Sequence, residues 1–362
     1  MKTVFILGAG ASHEAGAPLM SNFFDHAHDL LRRKTSGVIE VKKEFDEIFE
    51  AIAELHRVHS KSYLDLDNIE IVFGAIEMAL LLEKFGERDI EEIKKLKKSL
   101  VTLIYRTLEF SIPFKIVRNR PEPPKPYGLF CNMLKNINNQ RGVSADPHEF
   151  SFITFNYDLC LDYALTFNHW NFDYYLEKKE KTNPKATPLL KLHNSINWGS
   201  TNNNQIIPYP LNEFGLQYDW LGTRGPVFFD LGSKLKSRKC QEGKPFNELP
   251  VIVPPTWNKT AYQSQLTNVW SAASKVLSEA ENIFVIGYSL PETDSFFRYL
   301  YALGTESNTR IRNFVVIDPD STESVKKRFL ALIGKGIENR FQFKQLTFDD
   351  GIPKIEEILC KL

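Results

Sequence analysis

The sequence predicts an α/β protein in which a mostly parallel sheet is flanked by helices and interrupted by two insertions, one helical and one irregular. Three observations lead there. Thr3–Leu7 is a β-branched and aromatic run that breaks into glycines at Gly8, Gly10 and Gly16, the pattern of a strand buried on both faces. Comparable runs recur at 149–155, 189–193, 283–286, 314–317 and 341–348, with helical spacing between most of them, and that alternation argues for parallel strands joined by right-handed crossovers. Five of the runs end in glycine or polar residues: Gly8–Ser12, Asn156–Asp158, His193–Ser195, Gly287–Ser289 and Asp318–Asp320. Ligands of such sheets bind beyond the carboxyl ends of the strands, so segments far apart in sequence are expected to converge on one crevice.

The first turn sets the expected ligand class. Glycines let a backbone come close to an anionic group, and a helix starting just after them would aim free N–H groups at a phosphate. A nucleotide is the expected partner. The ordinary dinucleotide fingerprint needs a third glycine three residues after the second, where this chain has His13, so a plain dehydrogenase is not expected.

From Ser21 to about Phe110 the spacing is helical: Phe45, Ile48, Phe49, Ile52 and Leu55; then Ile69, Val72, Phe73, Ile76 and Leu80; then Ile90, Ile93, Leu96, Leu100, Leu103 and Ile104. Asp67 is placed to cap the second of these helices and Gly86 to end it. Residues 21–149 read as a helical insertion. Within it, Asn119–Pro126 carries four prolines and reads as a loop or hinge before a short helix from Tyr127 to about Ile137. Glu149–Phe155 is a strand running into Asn156-Tyr157-Asp158, with a helix resuming at Leu159, and Leu189–His193 is a further strand. Residues 200–250, rich in Asn, Gly, Pro and Lys, read as a second insertion with little regular structure. Order returns at Val251–Pro255. A helix over Gln265–Ala280, strands at Ile283–Ile286, Phe314–Ile317 and Phe341–Phe348, and a terminal helix from Pro353 complete a core made of residues 1–20 and 150–362.

Composition bounds the function. With 362 residues, 43% hydrophobic and 25% charged, the chain is long enough for one large domain with insertions or for two. Its formal net charge is zero and its pI is near 7.1, so nothing demands nucleic acid or an anionic membrane as partner. Met1 leads straight into a strand without basic or apolar leader segments, and a cytoplasmic protein is expected. Cys131, Cys160, Cys240 and Cys360 stand singly, leaving no Cys-x-x-Cys pair for zinc or redox chemistry, and all four are expected as buried thiols. His26 and His28 are two apart, so they do not share a helix face as metal ligands would.

Gly-Ala-Gly-Ala-Ser at 8–12 with Gly16 and Pro18, Thr154-Phe155-Asn156-Tyr157-Asp158, Leu192-His193-Asn194-Ser195 and Gly287-Tyr288-Ser289 resemble, in the same order, the NAD-binding segments of the sirtuin (Sir2-type) superfamily. Asp67-Asn68-Ile69-Glu70, Pro254-Pro255-Thr256-Trp257-Asn258-Lys259 and Gly287–Pro291 further resemble its bacterial branch of NAD hydrolases in antiphage defence. The resemblance covers roughly residues 1–20 and 150–320. It implies a Rossmann-like parallel sheet, NAD as substrate, Asn156, His193 and Asp158 as catalytic residues, and Gly8, Ala9, Gly10, Ser12, Gly287, Tyr288, Ser289 and Asp318 as cofactor-binding residues. A homo-oligomer held inactive by a partner, such as a HerA-like ATPase or an Argonaute-like protein, is also implied, with no direct nucleic-acid or membrane contact.

These residue types suit cleavage of a nicotinamide N-glycosidic bond. The transition state resembles an oxocarbenium ion, and nicotinamide leaves from an already cationic form, so no general acid is needed. What is needed is a polar side chain near the ribose and a base for water or a ribose hydroxyl. Asn156 and Asp158 would hold the nicotinamide, the ribose and the water, and His193 would be the base. Each has a plainer role open to it: His193 as a hydrogen-bonded structural histidine, Asn156 as a turn residue, Asp158 as a cap for the helix at Leu159, Ser12 as a cap, and Asp318 as a turn residue. The chain also departs from the sirtuin deacylases. It has Leu19-Met20-Ser21 where they continue Asp-Phe-Arg, Asn194 in place of a glycine, and no four-cysteine zinc module, all of which favours water over an acyl oxygen as acceptor. The expected activity is an NAD glycohydrolase giving nicotinamide and ADP-ribose or a cyclic form, with an NAD-dependent protein deacylase and a non-catalytic NAD-sensing or ADP-ribose-sensing subunit as alternatives.

Overall fold

The computed structural model describes residues 1–57, 61–117, 120–140, 149–177, 185–201, 205–211, 215–218, 227–230, 249–252, 263–292 and 294–361. In chain order the elements begin with β1 (Thr3–Leu7), α1 (Ala9–His13), α2 (Phe23–Arg32), α3 (Ser36–Ile39), α4 (Lys42–His56), α5 (Ile69–Leu82) and α6 (Ile90–Ser111). Then follow β2 (Lys115–Val117), β3 (Arg120–Glu122), α7 (Lys125–Gln140), β4 (Phe150–Thr154), α8 (Cys160–Phe167), β5 (Phe172–Asp173) and β6 (Thr187–Lys191). The short strands β7 (Trp198–Ser200), β8 (Ile206–Pro208), β9 (Gly215–Tyr218) and β10 (Val227–Asp230) come next. The last part holds α9 (Gln263–Ser278), β11 (Asn282–Ile286), α10 (Ser295–Gly304), β12 (Asn313–Ile317), α11 (Ser324–Leu330), β13 (Phe341–Lys344) and α12 (Phe348–Cys360).

The chain divides into two compact units, Met1–Ala15 with Phe114–Asn194 and Tyr262–Leu362, and Gly16–Pro113 with Ser195–Ala261. The first unit is built on a seven-stranded sheet in the order β13-β12-β11-β1-β4-β6-β5, parallel at every pairing. Every residue of β1, β4, β6 and β11 is buried, as apolar runs in a sheet covered on both faces must be. Phe5 stacks on Phe152 and Phe284, with Phe130 of α7 set edge-on against it. A buried ring of this kind is worth about 1.5–3 kcal/mol.

Register fixes what the sheet presents. Leu7 pairs with Ile286 on one side and Thr154 on the other, Thr154 with Lys191, and Ile286 with Ile317. Five strands therefore end in one row. From β1 the chain steps to β4 and β6, then returns to β11 on the opposite side of β1, so the strand order reverses beside β1. Crevices of parallel sheets open at such points.

The second unit packs α2, α3, α4 and α5 around α6, which opens with a capping box between Asp89 and Glu92. Two antiparallel pairs, β7 with β8 and β9 with β10, belong to it. Among the described residues no helix is long and apolar enough to cross a membrane.

Several boundaries differ from the sequence expectations. Asn68 rather than Asp67 caps α5, accepting the Glu70 N–H at 2.9 Å, because the buried stripe starts at Ile69 and the cap falls immediately before it. That helix ends at Glu83 in a left-handed turn (φ 51°), ahead of Gly86. Part of the proline-rich stretch is not loop: Arg120–Glu122 pairs with Lys115–Val117, and Pro126 sits in the first turn of α7, where a missing N–H costs nothing. β6 ends at Lys191, short of His193. Phe348 starts a helix capped by Thr347 instead of ending a strand, and Pro353 lies inside that helix. The described parts of 200–250 include short strands whose aromatic and β-branched residues favour pairing. Cys131 and Cys160 are buried, but Cys360, at the end of α12 beyond the buried Leu359, is exposed. Cys240 and Pro254–Lys259 lie outside the described residues.

Candidate active site

Two glycine loops meet at the reversal point beside β1. The Gly8 N–H donates to Ile286 O at 3.0 Å, and the Gly10 N–H donates to Gly287 O at 2.8 Å. A Cβ on Gly8 would come within 2.5 Å of Tyr288 Cα, and one on Gly287, whose φ is +57°, within 2.2 Å of Ala11 N. Glycine is required here because one backbone lies against another. The sequence reading gave that space to a ligand; the neighbouring loop fills it. Ala9, between the two glycines, stays half-exposed.

Asn156 follows β4. Its N–H donates to Thr154 Oγ1 at 3.1 Å, and its Nδ2 donates to Gly8 O at 2.8 Å and to Ser12 Oγ at 3.0 Å. A carbonyl oxygen only accepts, so the nitrogen of the carboxamide must face Gly8. Ser12, 1% exposed, lies 2.7 Å from the hydroxyl of Tyr127 on α7. Sequence reasoning missed Tyr127, whose only signal was a place on the apolar face of a helix.

His193 lies beside this turn by register. Thr154 pairs with Lys191, so Asn156 and His193 each stand two residues past a paired position. The Leu192 N–H donates to Thr154 O at 2.9 Å, and the imidazole packs edge-on against Phe155 at 5.2 Å and beside Tyr157 at 6.3 Å. His193 is buried. Asn194 has φ 77°, a left-handed conformation that Asn tolerates better than most residues.

Asp158 is also buried. Its Oδ1 accepts the Cys160 N–H at 2.9 Å, the capping task open to it from the sequence, while its main-chain oxygen accepts from Lys191 Nζ at 2.5 Å. Lys191 pairs in turn with Asp162 at 3.0 Å, which also accepts the Tyr174 hydroxyl. Lys191 was not singled out from the sequence either, since a lone lysine inside a strand carries no periodic signal.

Tyr288 turns inward. Its ring stacks on Phe155 at 4.1 Å and its hydroxyl donates to Asp294 at 2.6 Å. Ser289 is exposed, and its carbonyl accepts from Arg328 Nε at 2.7 Å. Asp318, at the end of β12, accepts the Asp320 N–H at 3.0 Å, and burial raises its carboxyl pKa above the usual range. Ser289 and Asp318 form no hydrogen bond with Asn156, Ser12 or His193 among the described residues.

The structure thus brings Gly8–Ser12, Asn156, Asp158, His193 and Gly287–Tyr288 together on three adjacent strand ends and β6. The imidazole of His193 packs against the rings that flank Asn156 in sequence. Among the described residues, no group of three or more His, Cys, Asp and Glu is placed to hold a metal ion.

No protein-family model and no curated protein matches the chain. Solved structures to which it is similar include a Sir2 homologue in complex with NAD, at 13% identity and a TM-score of 0.45 over 99% of this chain and 90% of that one. A serine-to-alanine mutant of a Sir2 homologue with ADP-ribose is similar at 14% identity and a TM-score of 0.40 over 99% and 92% of the two chains. Sir2 with an inhibitor, 2′-O-acetyl-ADP-ribose and a deacetylated p53 peptide is similar at 12% identity and a TM-score of 0.39 over 99% and 93%.

Proposed function

We propose that this chain binds NAD and hydrolyses its nicotinamide–ribose bond, releasing nicotinamide and ADP-ribose. The observation that supports the reading is the register pairing of Thr154 with Lys191, two residues beyond which stand Asn156 and His193, on the strands next to β1, beside which the strand order reverses. Breaking the glycosidic bond sends its electron pair to the pyridinium nitrogen, so nicotinamide leaves neutral and the ribose carbon is left electron-poor. The carboxamide oxygen of Asn156, with both Nδ2 protons already committed, is an acceptor suited to that carbon or to an attacking water. His193 takes the proton that the water loses. The role in phage defence, the homo-oligomer and the partner protein are proposed on the resemblance of the motifs.

Incubating the purified chain with NAD, with no acylated peptide present, is expected to release nicotinamide. Asn156→Ala is expected to lower that rate by about 10²-fold, followed by chromatography of nicotinamide and ADP-ribose. Release only when an acyl-lysine peptide is added would replace the hydrolase by a deacylase. NAD binding without turnover would leave a sensing subunit.

A further inference from the structure

We infer that Asp294 is a positioning residue: it holds the Tyr288 ring in place through a hydrogen bond, and that ring fixes Phe155, against which the His193 imidazole rests. The inference rests on the proposed NAD hydrolysis for its effect on turnover but not for its geometry.

Asp294 is 2% exposed. Burying a carboxylate is costly unless its oxygens find donors, so its place calls for a reason. Its position immediately before α10 would supply one, because Asp at a helix start ordinarily accepts a main-chain N–H of the first turn. No such side-chain bond is made. Instead Oδ2 accepts the Tyr288 hydroxyl at 2.6 Å, the short distance of a bond to a charged acceptor, and Oδ1 has no hydrogen-bond partner among the described residues. The carboxylate thus serves Tyr288 rather than the helix. The Tyr288 ring lies nearly parallel to that of Phe155, with 11° between the planes and 4.1 Å between centroids. Phe297, in the first turn of α10, stands edge-on to both, at 5.3 and 5.4 Å. His193 packs edge-on against the same Phe155 ring at 5.2 Å. Rings packed this closely do not shift singly, so displacing Tyr288 moves Phe155 and with it the surface on which the imidazole rests. Asp294 acts on the imidazole through two rings, and all of these residues belong to the first compact unit.

Asp294→Leu keeps the size of the side chain and removes the acceptor, whereas Asp294→Asn keeps a carbonyl oxygen for the Tyr288 hydroxyl. With rates measured below the onset of unfolding, Asp294→Leu is expected to lower kcat for nicotinamide release about tenfold, the worth of one hydrogen bond, while KM for NAD stays within about twofold. Asp294→Asn is expected to keep kcat within about threefold of wild type. Tyr288→Phe removes the same bond from its other end, should match Asp294→Leu, and stands in for it if the leucine variant does not fold. The imidazole supplies a second readout. In protein labelled with ¹³C-histidine, the ring signal that disappears in His193→Gln is expected to shift in Tyr288→Phe, because it lies in the ring current of Phe155. It is expected to stay in place in Tyr301→Phe, the same deletion on α10 at a ring that lies against Phe314. A wild-type kcat in the folded Asp294→Leu or Tyr288→Phe protein, with stability alone reduced, overturns the inference. So does an Asp294→Asn variant as slow as Asp294→Leu, or a His193 signal that does not move in Tyr288→Phe or moves equally in Tyr301→Phe. A wild-type chain that releases no nicotinamide sinks the hydrolase reading instead, and the His193 signal then decides the placement alone.

Discussion

His193→Ala is expected to slow nicotinamide release by roughly 10²- to 10⁴-fold, the usual loss when a general base is removed. The expectation follows from placement. The imidazole stands two residues past the end of β6, wedged against Phe155 and Tyr157, the residues on either side of Asn156, so it faces the turn that carries the carboxamide. A histidine kept only for packing would behave differently on replacement: the protein would lose stability, while the folded fraction would turn over at the wild-type rate. Measuring kcat below the onset of unfolding, with the folded fraction followed by circular dichroism, separates the two. Added imidazole is a second discriminator. If the ring takes a proton from water, free imidazole entering the space left by the side chain should restore part of the rate, and added pyrrole, of similar shape but without a basic nitrogen, should not. A variant with undiminished kcat would remove His193 from the chemistry and leave the Asn156 turn to be explained without a base.

What the sequence showed and what it hid divide along physical lines. β1, β4, β11 and β12 were legible because each is a short apolar run, rich in β-branched and aromatic residues, that stops at glycine or polar residues, and those features decide for a strand over a buried helix. The polar turns following them were legible for the same reason, being abrupt breaks in those runs. Helix ends were not: Asp67 and Asn68 are both good caps, and only the burial of Ile69 chooses between them. Nor was the reason for the glycines, since both a close ligand and a close loop demand a missing Cβ. The structure shows Gly287 pressed on Ala11, with its own positive φ. Tyr288 entered the site through the motif resemblance alone, and no local pattern showed that its ring stacks on Phe155. Tyr127 and Lys191 act through contacts 115 and 29–33 residues away in the chain, distances at which no local pattern speaks.

Lys191→Met is expected to destabilise the protein by about 3–5 kcal/mol, the usual cost of leaving one member of a buried ion pair without its partner. Lys191 and Asp162 are each 1% exposed, so water cannot replace the lost ammonium, and among the described residues the Asp162 carboxylate would keep the Tyr174 hydroxyl alone as donor. Part of the cost is local to the site, because the Asp158 carbonyl would lose its hydrogen bond from Nζ as well. The double variant Lys191→Met/Asp162→Leu removes both charges and is expected to recover at least about half of the loss, since a buried pair is often replaced by apolar side chains at little net cost. Urea unfolding with an unchanged m-value is the measurement. A single variant within about 1 kcal/mol of wild type would show that the pair is not buried in solution. The double variant also tests why the pair stands at this place in the fold. The 156–158 turn is tethered to β1 through Asn156 and Gly8, and to β6 through Asp158 and Lys191. Restoring stability with apolar residues restores the first unit's packing but not the second tether. Turnover should then remain below wild type after stability has returned, and full recovery of both would mean that the tether to β1 alone holds the turn.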